Sequence, residues 1–286
     1  MFKQPTLKQP TLKQLLLGSL CMSGLLTALP AMAHQAYIIA LGDMPEGKQV
    51  LLHAGYTEAL FVPEFPLEAS YASFSPDGQK QELQPLSGAK SATVLELPLP
   101  QSGTYKVLAT KQSKTDYAQQ NGQWKAVYDM AADKAPAASE RPYLIRSEVK
   151  ANDKQLVSTL HGQVLTYVSK EKTSTAVLAP TGEGLEFKLS QHPNQLSQQQ
   201  GLTLHVLFNG KPAAGVGLHL ERAGAPHAHD ENAEDQPDFV SGKDGRVTIP
   251  LSQSGQYLLH ATYPDQKTGA QPVRDRYHSA LSLSVK

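Results

Sequence analysis

The sequence predicts an all-β protein: two tandem Ig-like or transthyretin-like β-sandwich domains behind a cleaved signal peptide. Three observations lead there. Short runs of alternating apolar and polar residues dominate the chain, parted by Gly, Pro, Asp and Asn turns. Period-two alternation marks strands, and long stretches of helical periodicity are scarce. Sixteen residues recur without a gap, LELPLPQSGTYKVLAT at 95–110 and VTIPLSQSGQYLLHAT at 247–262. The first 33 residues read as a leader, separate from both copies.

The leader is justified by its own anatomy. Lys3, Lys8 and Lys13 form a basic start, and Leu15 to Leu29 an apolar stretch. Ala31-Met32-Ala33 then puts small residues where a signal peptidase inspects the chain. The apolar run is too short for a stable membrane span. Cys21, the only cysteine, follows Leu20 rather than a small residue, so no lipid anchor is expected. Cleavage after Ala33 leaves 253 of the 286 residues, keeps all ten histidines and makes His34 the first residue. The mature chain has no cysteine, so thiol catalysis and thiolate ligation are excluded, and it uses no disulfides although export would permit them. With the three leader lysines set aside, 23 basic residues face 26 acidic ones, a net charge near −3. No basic field is available for nucleic acid. The expected product is a soluble periplasmic protein with no stable membrane insertion after cleavage.

The first domain is placed at 34–180. ASYASFSPDGQKQEL reads strand, P-D-G turn, strand. Residues 111–140 are polar and poor in pattern, and are expected to form a long loop or partly helical insertion holding Trp124. PYLIRSEVKAND and QVLTYVS then resume strand character. The second domain is placed at 185–286. LTLHVLFNGKPAAGVGLHLE reads strand, N-G-K-P turn, strand, and FVSGKDGRVTIPL carries a D-G turn between two strands. In the repeat, Pro98 matches Pro250, Gly103 matches Gly255, Tyr105 matches Tyr257 and Ala109 matches Ala261. The match is read as two related sandwiches.

NGKPAAGVGLHLE followed by SGKDGRVTIPLSQSGQYLLHATY resembles the carboxypeptidase-regulatory type of sandwich module. There a G-x-P-x-x-G turn joins two strands and a later D-G-R turn precedes another. With AHQAYIIALGD at the mature start, LEFKLSQHPNQLSQQQGLTLHVLFNGKP in the middle and RYHSALSLSV at the end, the whole resembles a bacterial exported family with a domain of unknown function. Its members are often labelled the periplasmic component of cobalt or nickel uptake systems. The resemblance implies a metal ion as ligand and a metal importer in the inner or outer membrane as partner. Members commonly begin Ala-His, a polar residue, any residue, then an aromatic; here these are Ala33, His34, Gln35, Ala36 and Tyr37, with Tyr37 in place of the usual tryptophan.

The histidines carry the candidate chemistry. A freed His34 offers its α-amine and imidazole Nδ1 as one chelate, and both shed their protons cheaply near neutral pH. Nitrogen donors suit nickel and cobalt, and copper or zinc as well. A second histidine would complete a histidine brace, the arrangement of copper-dependent polysaccharide monooxygenases. His53, on an early strand, is the first candidate for it. His278 lies near the end of the chain, and His161 is read at a strand–turn junction; both are further candidates. His192 reads as a loop residue and His260 as the polar side of its strand. His205 and His219 fall opposite each other if a hairpin pivots at Pro212. Residues 225–238, APHAHDENAEDQPD, hold His227 and His229 among acids and read as a weak metal collector or a solvated insertion. Nucleophile elbows, H-E-x-x-H and phosphate loops are absent, so no enzyme is expected. The sequence therefore points to a periplasmic metal-binding protein. A structural module for envelope polysaccharide or protein is the first alternative and a copper histidine-brace oxidase the second.

Overall fold

The computed structural model describes residues 35–286 apart from 43–44, 87–88, 226–235 and 268. The fold is all-β, as expected. Its helical pieces among the described residues are five 3₁₀ turns of three residues each.

Among the described residues, three sheets build it. The first small sheet holds β1 (Gln35–Ala40), β2 (Gln49–Thr57), β3 (Phe65–Pro66) and β6 (Thr93–Pro98). A ten-stranded sheet takes β4 (Ser70–Phe74), β5 (Lys80–Leu83), β7 (Gly103–Gln120), β8 (Gln123–Tyr128), β9 (Leu144–Ile145) and β10 (Lys154–Lys170) from the first half. It takes β14 (Gly217–Arg222), β15 (Phe239–Val240), β17 (Gly255–Tyr263) and β18 (Asp275–Val285) from the second. The second small sheet holds β11 (Leu185–Leu189), β12 (Leu202–Phe208), β13 (Lys211–Pro212) and β16 (Arg246–Ile249). The long sheet passes unbroken through both halves, β10 of the first lying parallel to β18 of the second.

Alternation decides which face each small sheet covers. On β10, Val164 and Val168 point into the core that holds Ile38, Leu52 and Leu95 of the first small sheet. Leu165 and Tyr167, one residue out of phase, face the core that holds Leu204, Val206 and Ile249 of the second. Side chains one apart on a strand point to opposite faces, so the small sheets lie on opposite faces of the long one. Each covers only part of its face, and a stretch of each face stays open beyond its edge.

The internal repeat forms two matching corners. After β6 the chain leaves the first small sheet and enters the long sheet as β7; after β16 it leaves the second small sheet and enters as β17. Gly103 (φ 133°) and Gly255 (φ 137°) make the two bends with backbone conformations open to glycine. The Tyr105 hydroxyl donates to the Gln101 carbonyl at 2.9 Å, and Tyr257 donates to Gln253 at 2.8 Å. This i to i−4 bond is the tyrosine corner of sandwich folds.

The expected loop or partly helical insertion at 111–140 is corrected. β7 runs on to Gln120, pairs along its length with β10 and turns back into β8. Its outer half is polar because it lies past the covering sheet, where strand pairing needs no apolar face. The turn is Asn121-Gly122, both at positive φ (51° and 80°), the N-G signal of a two-residue hairpin. Trp124 lies in β8, its N–H bonded to the Gly269 carbonyl at 3.1 Å. The P-D-G hairpin forms as expected between β4 and β5. The two strands read on either side of the N-G-K-P turn both form, as β12 and β14, but they do not pair about Pro212: β13 turns back onto β12, and the chain then crosses to the long sheet as β14.

Candidate metal-binding cleft

β17 alternates Tyr257, Leu259 and Ala261 into the second core with Leu258 into the first; His260 shares the face of Leu258. The neighbouring strands place two more histidines on that face. His219 of β14 is the register partner of His260. His278 of β18 is the partner of Thr262, two residues along β17 from His260. The rings of His219 and His260 stack with centroids 5.0 Å apart, and those of His260 and His278 lie 5.9 Å apart. Three imidazoles thus form a row across three strands, on the stretch of long sheet that the first small sheet leaves open.

Fixed partners orient two of the rings. Nε2 of His260 donates to Glu221 Oε1 at 3.2 Å, which leaves Nδ1 for another partner. Nδ1 of His278 is hydrogen-bonded to Thr262 Oγ1 at 3.0 Å, which leaves Nε2. A carboxylate or hydroxyl on the far nitrogen is what a metal-ligating imidazole needs to fix its ring and tautomer. Burial, then the neighbouring His260 and Arg276, push the pKa of His278 down to about 3, so it is neutral wherever the protein is folded at ordinary pH. The row lines a cleft of about 660 Å³, with Gln35 and Ala36 at the start of β1 on its wall. Among the described residues, no group of three or more His, Cys, Asp or Glu side chains is placed so that it could hold a metal ion, the row included. Ligation by the row requires the stacked rings to turn about their side-chain torsions.

The residues singled out from the sequence fall as follows. His34, His227 and His229 lie outside the described residues. His34 is one peptide bond from Gln35. His53 is not brought to the start of the chain. It pairs with Ile39 whereas Gln35 pairs with Thr57, a separation of four residues, about 14 Å along the strand. Its Nδ1 is 3.0 Å from the Tyr37 hydroxyl and its ring meets Tyr37 edge-on, so it packs the outside of the first small sheet. Burial lowers its pKa. His278 lies in the row. His161 is mid-strand rather than at a strand end. It accepts from Gln112 at Nδ1 and donates from Nε2 to Asp275, both at 3.0 Å, so both nitrogens are spent. It stacks on Tyr277 in a second cleft, of about 620 Å³, on the opposite face. His192 is a loop residue as read; its Nδ1 accepts from the Asn194 N–H. His205 and His219 are in different sheets, so their expected pairing across Pro212 fails. The partner of His219 is His260, a pairing that needed knowledge of which distant strands share a sheet.

The corners supply an internal comparison. Aligning Tyr105 with Tyr257 matches Leu108 with His260. The β4 partner of Leu108 is Ala72, as the β14 partner of His260 is His219. The β10 partner of Leu108 is Leu165, as the β18 partner of His260 is Ala280; two residues back these strands carry Gln163 and His278. The same three positions are therefore Ala72, Leu108 and Gln163 in one half and three histidines in the other. The fold does not need histidine there.

No curated protein matches the chain. Two solved structures are similar over part of their length. Trypsin-activated alpha-2-macroglobulin from Escherichia coli is 14% identical, with 88% of this chain and 16% of that chain covered and a TM-score of 0.22. Salmonella alpha-2-macroglobulin reacted with methylamine is 16% identical, with 86% and 14% covered and a TM-score of 0.20. The chain thus spans about a sixth of their length, and likeness at that level carries no argument about site or activity. The family described as "Domain of unknown function (DUF4198)" matches residues 31–265. This chain, with its three-histidine row at the edge of a sandwich built on one long sheet, belongs to the DUF4198 family.

Proposed function

We propose that the protein is a periplasmic carrier of a divalent transition metal, cobalt or nickel, and that it holds the ion at the row His219, His260 and His278. The observation that supports this reading is the row itself: three imidazoles in register on one open face, where the matching positions of the other half carry none. Imidazole nitrogen is a borderline donor that suits first-row divalent ions. A protein without cysteine in its mature chain has histidine as its remaining strong donor for them.

In this reading His34 is a further donor. Once the leader is cut after Ala33, its amine and imidazole are one residue from the cleft wall at Gln35. The role is binding and delivery to a membrane importer rather than catalysis. Among the described residues no helix is long and apolar enough to cross a membrane.

Calorimetric titration of secreted, tag-free protein with Co(II), Ni(II), Cu(II) and Zn(II) tests this. The reading expects one ion per chain at micromolar or tighter affinity. It expects His260→Gln and His278→Gln each to weaken binding at least tenfold, with folding checked by circular dichroism. A variant with one residue added before His34 separates the terminal donor from the row. Binding that survives both histidine substitutions unchanged overturns the site, and no binding below millimolar concentration overturns the function.

A further inference from the structure

The cleft that holds the histidines also presents two cations. Lys111 and Arg276 both line it. Across the long sheet, Lys111 pairs with Gly162, Gly162 with His278 and His278 with Thr262, so these four residues stand at one level. Arg276 is two residues from His278 on the same strand and shares its face. Neither cation has a carboxylate within ion-pair distance among the described residues. Lys111 rests its ammonium over the Tyr56 ring at 5.6 Å. Arg276 donates Nε–H to the Pro264 carbonyl at 3.2 Å, which anchors the guanidinium and leaves its terminal amino groups for another acceptor.

Asp265 also lines the cleft and Glu221 is bonded to His260, so the lining carries both signs of charge; Lys111 and Arg276 are the part of it that a bare dication has no use for. The size is wrong for a bare ion. Six waters around an ion occupy about 180 Å³ at ~30 Å³ each, whereas the cleft offers about 660 Å³, in the range of small-molecule sites. Gly162 adds to that space. Its φ is not in the left-handed region, and a Cβ there would meet the Lys111 carbonyl at an ordinary 3.4 Å. Glycine is therefore not forced by backbone conformation; its effect is a bare floor between Lys111 and His278. Strands lie about 4.8 Å apart, so roughly 10 Å separates the Cα atoms of Lys111 and His278 across that floor.

We infer that the cargo enters as a complex of the metal with a small di- or tricarboxylate, whose free carboxylates are held by Arg276 and Lys111 while the histidines meet the metal. A guanidinium fork pairs with carboxylate in bidentate geometry, and the lysine supplies a point charge at the other end. The inference rests on the metal-binding reading above and names its substrate class. No bond other than metal coordination forms or breaks.

The test uses Co(II) alone and Co(II) with an equimolar amount of ¹⁴C-citrate, on secreted full-length protein. The inference expects citrate to be retained one-to-one with cobalt, and not without it. Lys111→Met and Arg276→Met are each expected to cut citrate retention at least tenfold and, by removing a repelling charge, to raise the affinity for Co(II) alone several-fold. His260→Gln is expected to lose both ligands. Cobalt taken up from the equimolar mixture with no citrate retained, or citrate retained by Lys111→Met and Arg276→Met as well as by the unaltered protein, overturns the inference and leaves the metal site standing. Failure of cobalt to bind in either form overturns both.

Discussion

The paired tyrosine corners give a prediction with a built-in control. Tyr105 donates to the Gln101 carbonyl at 2.9 Å and accepts from the Gln101 N–H at 2.8 Å. Tyr257 makes the donated bond alone among the bonds observed at its corner, at 2.8 Å. Both rings are buried, at 2% and 5% exposure, so phenylalanine fills either site without a cavity. Each lost bond costs about 1 kcal/mol, because Gln101 and Gln253 are exposed and water replaces the hydroxyl. Tyr105→Phe should therefore cost about 2 kcal/mol and Tyr257→Phe about 1 kcal/mol. With a urea m-value of ~3 kcal/mol/M for a chain of this size, the midpoints fall by roughly 0.7 and 0.3 M. Urea unfolding followed by circular dichroism reads both shifts, and an unchanged m confirms that stability alone has moved. A loss at Tyr257 equal to or larger than that at Tyr105 would refute the bond-by-bond reasoning.

Other outcomes follow from the same geometry. Gly162→Ala should leave stability within about 1 kcal/mol, whereas Gly162→Leu should weaken metal uptake at least tenfold by filling the cleft floor; equal uptake by both would show that the floor is not part of the site. Gly122→Val, which forces a branched side chain to φ near 80°, should cost about 1–2 kcal/mol and red-shift the fluorescence of Trp124 on the adjacent strand while metal affinity holds. Burial holds His53 and His192 below the usual histidine pKa. The unfolded chain then takes up protons first, so the stability these groups provide is full above pH ~6.5 and declines as pH falls below it. Both are partly solvated, so the loss between pH 7.5 and 5.5 should be about 1 kcal/mol or less for the pair; a urea midpoint that rises over that interval would reverse the sign and refute the assignment.

Much of the fold was legible because its signals are local. Alternation located β4 and β5 around Pro76-Asp77-Gly78, and the start of β11 at Leu185. The gapless repeat pointed to related units, and the structure identifies its two copies as corners between sheets. Asn121-Gly122 was readable in the same way, but the polar run before it hid a strand whose faces are not both covered. The site was harder, because alternation tells which way a side chain points but not which strand lies beside it. His219 and His260 are 41 residues apart and His278 arrives from a third strand, so their shared row depends on pairings that no local pattern encodes. The assumed pivot at Pro212 failed for the same reason. His260 reads as the polar side of its strand, and it does point away from Tyr257, Leu259 and Ala261, yet nothing local makes it a neighbour of His278.

The most direct measurement of the central claim is a crystal structure of the secreted protein loaded with Co(II), with anomalous data on either side of the cobalt edge. The account predicts one strong anomalous peak in the cleft, within bonding distance of nitrogens from at least two of His219, His260 and His278. A peak held only by surface carboxylates, or by His53 or His161 with the row empty, would contradict it.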